Sequence, residues 1–498
     1  MCAEVSEQLQ VTKVYRLPIT PNERIHNEPR TFDRQRIHAT AASEYHPDLR
    51  PSPRTTTKPY QVIQPEGPSF KIRGNYLTWE KWSFRVGFNY REGMTLHDIC
   101  YDGRSLFYRL SLAEMFVPYG DPRAPYPRKA AFDLGNDGAG INANNLQLGC
   151  DCLGTIKYFD GYHNTSAGEP MKMPNVICCH EQDDGILWKH TNFRTGNAVV
   201  TRSRILVLQT IITVSNYEYI FAFHFCQDAS IFYEVRATGI LSTVPSEVGL
   251  KEKVPYGTVV APGVLAPYHQ HIFSLRIDPA VDGHANSLAI EESKALPVGD
   301  PAVHNPFGVG YVTEQKIVEK EGGFDLDFTK ARVFKFINEN KINHITNTPV
   351  GFKLMPAYSQ MLLSHPDSFH AKRSEFGKHA VWVTRYEDDD HFPSGKHTMQ
   401  SSGGDGIASR ISKRNSTGVS QSVRNTDIVI WHTFGSTHNP RIEDWPVMPN
   451  EKMMVGLKPV NFFSGNPGLD VAVSTQEKNK SILYTEEEKP SHCCHSRL

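Results

Sequence analysis

Apolar and polar residues alternate with a period of two along much of this chain. Phe84, Val86 and Phe88 alternate with Arg85, Gly87 and Asn89, and Arg91-Glu92-Gly93 offers a turn before a second run over 96–101. A strand sends successive side chains to opposite faces, so this pattern predicts a hairpin. Asp102-Gly103 turns the chain again into 106–112, and similar runs recur at 198–213, 217–226, 230–238, 257–264, 271–277, 380–386 and 427–433. Helical periodicity is scarce. One helix is expected after Asp444 and a short one over 357–363, while the polar, glycine- and serine-rich stretch 387–424 reads as an exposed excursion. Short strands separated by Gly and Asp turns, with no internal repeat, predict a mainly β fold built as a large antiparallel β super-sandwich.

The two ends lack this pattern. Residues 1–65 are rich in Pro, Arg, Thr and His and read as an extended lead-in or linker, a remnant of a preceding domain, before a β domain over 66–472. Residues 473–498 form a polar tail. It holds His492, Cys493, Cys494 and His495, too closely spaced to fold onto one tetrahedral ion. It ends in Ser496-Arg497-Leu498, which resembles the Ser-Lys-Leu type of peroxisomal address. A peroxisomal location is therefore expected, with an import receptor as a partner and the cytoplasm as the location otherwise.

Composition narrows the classes. Hydrophobic residues make up 39% and charged residues 21%, as in a globular protein, and the formal net charge is −1. That balance offers no basic surface for nucleic acid or anionic lipid. No apolar run approaches the roughly 20 residues of a membrane span, and the first residues do not read as a secretory signal. Nine cysteines are too few for a disulfide scaffold. Cys150 and Cys152 flank Asp151, and Cys178 and Cys179 are adjacent, which suits one local bridge better than a four-ligand metal site.

Candidate chemistry begins inside the longest β-like run, 205–225. Thr213-Val214-Ser215-Asn216-Tyr217-Glu218-Tyr219 puts an amide, a carboxylate and two phenols where a core strand would hold only apolar side chains. On its own Tyr217 could equally be a buried phenol satisfied by one hydrogen bond. Tyr268-His269-Gln270-His271 is a second signal. Residues two apart on a strand share a face, so His269 and His271 can offer two imidazoles to one ion, or else be two wet histidines on an edge strand.

The Thr213–Tyr219 stretch resembles the Thr-x-x-Asn-Tyr-(Asp/Glu)-Tyr motif of copper-containing primary amine oxidases, whose first tyrosine becomes topaquinone. Thr437-His438-Asn439-Pro440-Arg441-Ile442-Glu443-Asp444-Trp445-Pro446 is similar to the segment carrying their third copper ligand. Val117-Pro118-Tyr119-Gly120-Asp121-Pro122 and Ala131-Phe132-Asp133-Leu134-Gly135 are similar to the segments carrying their catalytic base and a tyrosine that bonds the quinone. With Leu148–Gly154 and Ile177–Glu181, these motifs follow the family order over about 60–470, and the likeness is to the catalytic domain of fungal peroxisomal members.

The resemblance implies oxidation of a primary amine by dioxygen and water to an aldehyde, ammonia and hydrogen peroxide, by a homodimer. It implies copper(II) held by His269, His271 and His438, and a topaquinone cofactor formed from Tyr217. Asp133 takes the substrate α-proton, and Tyr119 and Asn216 hold the ring. It pairs Cys152 with Cys178, and it leaves His432 structural or at the surface. Asp278 and Asp427 match carboxylates of a second, calcium-like site in some relatives, where a third carboxylate would fall at Ala280. Ala131 stands where some relatives have a bulky gate, which predicts a wide entrance. Only about 65 residues precede the catalytic segment, whereas full-length relatives carry two further domains there. An alternative is therefore a copper-binding structural or regulatory paralogue with little activity. From spacing alone, a zinc hydrolase using the same histidines with Asp133 as base also remains open, though it leaves Asn216-Tyr217-Glu218 unexplained.

Overall fold

A computed structural model describes residues 2–15, 17–21, 44–50, 52–399, 401–418 and 421–484; the side chains at 130–133 and the terminal Ser496-Arg497-Leu498 lie outside that description. Two ten-stranded sheets dominate. The first runs through Lys157–Asn164, Pro170–Thr191, Ala198–Val214, Tyr217–Cys226, Ile231–Gly239 and Met448–Val460 to an outer edge at Tyr311–Ile317. The second runs from Lys71–Arg73 through Trp82–Asn89, Gly93–Tyr101, Arg104–Pro118, His269–Pro279, Ile428–His438 and Val381–Arg385 to Gly322–Phe324. Neighbouring strands pair antiparallel, so the mainly β, antiparallel expectation holds.

The alternation seen in the sequence becomes the core between the sheets. Tyr217, Tyr219, Phe221, Phe223 and Phe225 point inward from one strand of the first sheet, and Phe273, Leu275 and Ile277 from one strand of the second. They meet edge to face, with Tyr219 and Phe221 rings 6.0 Å and 6.1 Å from Phe273. Each buried aromatic of this kind contributes about 1.5–3 kcal/mol. This ladder sets the two central strands face to face, and the polar residues at one end of it are held between the sheets.

Four expectations are corrected. No helix follows Asp444: a 3-10 turn over Ile442–Asp444 leads into the Met448–Val460 strand, because Pro446 and Pro449 lack the N–H that a helix would need. No helix covers 357–363 either. Pro356 precedes that segment, whose backbone is instead taken by Gln270: the side chain accepts from Leu363 N at 2.9 Å and donates to Met361 O at 3.1 Å. The 387–424 stretch is not simply exposed. It contains a helix, Ile407–Ser416, whose Ile407 and Ile411 pack with Trp382 and Trp431 on the outer face of the second sheet. The lead-in carries its own hairpin, Cys2–Val5 with Val11–Tyr15, and Arg123 donates to Thr20 O at 2.9 Å.

Candidate metal centre and active site

The two central strands of the second sheet bring the histidines together. His269 and His438 are direct cross-strand partners, and His271 shares a face with His269. The strands close tightly because Gly435 has no side chain: a Cβ there would lie 1.8 Å from His271 O. All three histidines are buried and form the one group among the described residues suited to hold a metal ion. His269 Nε2 lies 3.0 Å from His271 Nε2 and 3.2 Å from His438 Nδ1. These are separations that nitrogens bound to one ion at about 2 Å can take.

The outward nitrogens fix the inward ones. His269 Nδ1 is 2.9 Å from Pro267 O, and His438 Nε2 is 3.2 Å from Asp444 Oδ2. An oxygen acceptor requires N–H at those positions, which leaves a lone pair on His269 Nε2 and on His438 Nδ1. His271 Nδ1 is 2.7 Å from the Tyr219 hydroxyl, which accepts in the same sense when Nε2 is the ligand atom. Burial, followed by the neighbouring imidazoles, pushes His269 down to about 3 and His271 well below the usual histidine range. Neutral imidazoles are the form a metal binds. Burial pushes the Asp444 carboxyl up, but hydrogen bonds from Arg441 and His438 outweigh it and leave it below its ordinary value.

Tyr217 reaches this cluster from the opposite sheet. Its hydroxyl is 3.0 Å from His269 Nε2, accepts from Ser242 N at 3.4 Å and hydrogen-bonds Tyr119. Burial, then Tyr119, pushes this phenol far above its ordinary value, so it is neutral unless a cation stands beside it. The Tyr119 ring stacks on His269 with centroids 5.0 Å apart. Tyr217 opens its strand after a two-residue turn, Ser215-Asn216, with φ 57° at Ser215. Gly239, at φ 98°, lets the next strand close on that turn; a Cβ would fall 2.4 Å from Asn216 O. A cavity of about 380 Å³ adjoins the cluster, lined by Tyr119, Tyr256, Tyr268, His269, Leu363 and Asn439 among others.

The other expected residues are placed as follows. Asn216 sits in the exposed turn, where its side chain has no hydrogen-bond partner among the described residues, while Tyr119 and Ser242 N bond the Tyr217 hydroxyl. Asp133 begins a π turn, Asp133–Asp137, after the Ala130–Phe132 strand that pairs with Phe116–Pro118. Cys152 and Cys178 are joined by a disulfide. His432 is fully buried, with Nδ1 2.9 Å from Ala380 O, away from the histidine cluster. Asp278 gives both carboxylate oxygens to Arg276 at 2.9 Å, and Asp427 faces His284 at 3.7 Å. Each carboxylate oxygen of Asp278 thus accepts one hydrogen bond from Arg276. Sequence reasoning missed Tyr219, Asp444 and Ser242. Tyr219 was signalled by its two-residue spacing from Tyr217.

Fold and site together define a β-sandwich metalloprotein with a tyrosine set against a three-histidine centre. The chain belongs to the copper amine oxidase family: the model of that family's enzyme domain matches residues 71–478. It is 51% identical over 444 residues to copper amine oxidase 1 of Aspergillus niger, covering 89% of this chain and 65% of that protein. It is 40% identical over 460 residues to the peroxisomal primary amine oxidase of Pichia angusta, covering 89% and 66%. The solved copper-containing benzylamine oxidase of Hansenula polymorpha superposes with a TM-score of 0.84 at 44% identity, covering 95% of this chain and 70% of that one. The chain thus spans less than two thirds of the length of those two curated relatives. The family uses copper and topaquinone, and three imidazoles without Cys or Met fit copper(II). No helix among the described residues is long and apolar enough to cross a membrane.

Proposed function

We propose that this chain is a copper-dependent primary amine oxidase, converting RCH₂NH₂, O₂ and H₂O to RCHO, NH₃ and H₂O₂. The observation that carries the reading is the Tyr217 hydroxyl, 3.0 Å from a nitrogen of the three-histidine cluster. A zinc hydrolase has no use for a buried phenol there. His269, His271 and His438 hold copper(II), and Tyr217 is the precursor of topaquinone. When bound, copper supplies redox chemistry with dioxygen, and the quinone supplies the carbonyl that takes up electrons from the amine.

The side chains of this protein do the rest. Tyr119, stacked on His269 and bonded to Tyr217, holds the ring in one plane beside the histidines. Asp133 accepts the proton lost from the substrate α-carbon. The aromatic and apolar side chains of the cavity beside Tyr119, with Tyr256, Tyr268 and Leu363, suit a substrate with a hydrophobic body. The enzyme acts as a homodimer, a reading carried by its membership of the family. It reaches the peroxisome through Ser496-Arg497-Leu498, read by the import receptor, as the name of the Pichia angusta relative suggests.

Phenylhydrazine titration of the protein expressed with copper tests the reading. A new visible band near one equivalent per chain, absent from Tyr217→Phe, is the expected result. Copper bound with no band in either protein would refute it.

A further inference from the structure

Glu114 lies in the middle of an apolar strand, between Ala113 and Met115, and is fully buried. Its Oε1 accepts from Met115 N at 3.1 Å and from Gly135 N at 3.2 Å. Its Oε2 accepts from Ser394 Oγ and faces Arg91 Nη2 at 3.4 Å. Arg91 in turn donates to Lys396 O at 2.9 Å and Gly395 O at 3.2 Å, and its guanidinium lies 3.5 Å from the Phe392 ring centroid. One carboxylate therefore ties together a central strand, the 91–93 turn, the 392–398 loop and the turn that starts at Asp133.

The contact to Gly135 is close on every side. A Cβ at Gly135 would lie 2.4 Å from Thr398 Oγ1 and 3.0 Å from Glu114 Oε2. Further along the same turn, Ala139 N donates to Arg91 O at 2.8 Å, and a Cβ at Gly138 would lie 2.5 Å from Tyr90 O. The Asp133–Asp137 turn is thus gripped at its second residue beyond Asp133 by a side chain, and the chain just past its end is held by backbone. A buried carboxylate in a strand core is costly unless it is paired and hydrogen-bonded, and Glu114 meets that condition through Arg91, Ser394, Met115 N and Gly135 N.

We propose that Glu114 is the positioning residue for the Asp133 turn, holding the base in register with the substrate α-carbon through its bond to Gly135 N. The inference rests on the reading of Asp133 as the base. Arg91 and Ser394 keep the Glu114 carboxylate aimed. A glutamine can keep its oxygen on Met115 N and Gly135 N, with its NH₂ set against Arg91, so only an apolar replacement removes the acceptor outright.

The test uses copper-loaded, quinone-titrated protein with rates expressed per titrated quinone. Glu114→Leu, which removes the acceptor of Gly135 N, and Gly135→Ala are each expected to lower kcat/KM for the amine about 10- to 100-fold, the scale of a misplaced reacting group. The deuterium isotope effect from the substrate α-carbon rises, while kcat/KM for dioxygen and the phenylhydrazine titre stay at the wild-type value. A purely structural role would lower the titre and leave the rate and isotope effect per quinone unchanged, and that result overturns the proposal. Ser394→Ala, which keeps the carboxylate, gives the same pattern at smaller amplitude and serves if the first variants do not fold. Asp133→Asn is the control. If it keeps the wild-type rate, the base assignment fails and takes this inference with it; if it is inactive while Glu114→Leu is unaffected, only Glu114 is wrong.

Discussion

The two strands His269–Pro279 and Ile428–His438 carry ionisable groups at both ends, and the two ends are built on opposite rules. At one end His269, His271 and His438 turn their outer nitrogens to Pro267 O, Tyr219 and Asp444, so their inner nitrogens converge on each other with no countercharge between them. At the other, Asp278 meets the Arg276 guanidinium two residues before it, and Asp427 faces His284. A buried group is tolerated either by pairing it inside the protein or by leaving its lone pairs for something that arrives. The carboxylate end follows the first rule and the histidine end the second.

The largest expected effect comes from breaking the histidine end. His271→Ala removes one of three converging donors, and copper retained after gel filtration, read by metal analysis, falls from near one per chain to near zero. Loss of quinone colour accompanies it. Retention of stoichiometric copper would mean that the ion sits elsewhere.

Breaking the carboxylate end has a different signature. Asp278→Asn leaves Arg276, only 1% exposed, without its bidentate partner. Loss of one member of such a buried pair costs about 3–5 kcal/mol, to be read as a lowered urea midpoint. Copper stoichiometry is unchanged, and calcium chelation shifts neither protein. A wild-type midpoint that drops on chelation would restore a calcium role and overturn the contrast.

How far the sequence revealed this contrast follows from what each side chain advertises. Period-two alternation located the Tyr217–Cys226 and His269–Pro279 strands, and the two-residue spacing of His269 and His271 placed both on one face. The Met448–Val460 strand stayed hidden because Asp444-Trp445-Pro446 resembles a helix start. The Ile407–Ser416 helix stayed hidden because only Ile407 and Ile411 are buried on it, too few to show a period in a polar stretch. Long-range partners carry no local signal. Nothing near Asp278 says that Arg276 takes both of its oxygens, and Glu114 differs from a surface glutamate only by its apolar neighbours. That last signal, a lone charge within 112–117, was available in the sequence.

The smallest effect sharpens the histidine end rather than destroying it. Asp444 acts through His438: it accepts from His438 Nε2 and is itself held by Arg441 N at 2.8 Å and Arg441 Nη2 at 3.0 Å. Asp444→Asn keeps the size of the group but can present an NH₂ to His438 and weakens its grip on the tautomer, so Nδ1 loses basicity and orientation. Outer partners of this kind are worth about 10- to 100-fold in metal affinity. A competition titration against a copper chelator is expected to show that loss with the fold intact by circular dichroism. An unchanged affinity would show that the His438 tautomer is set by the metal alone, and the rule drawn from the two ends would then rest on Pro267 and Tyr219.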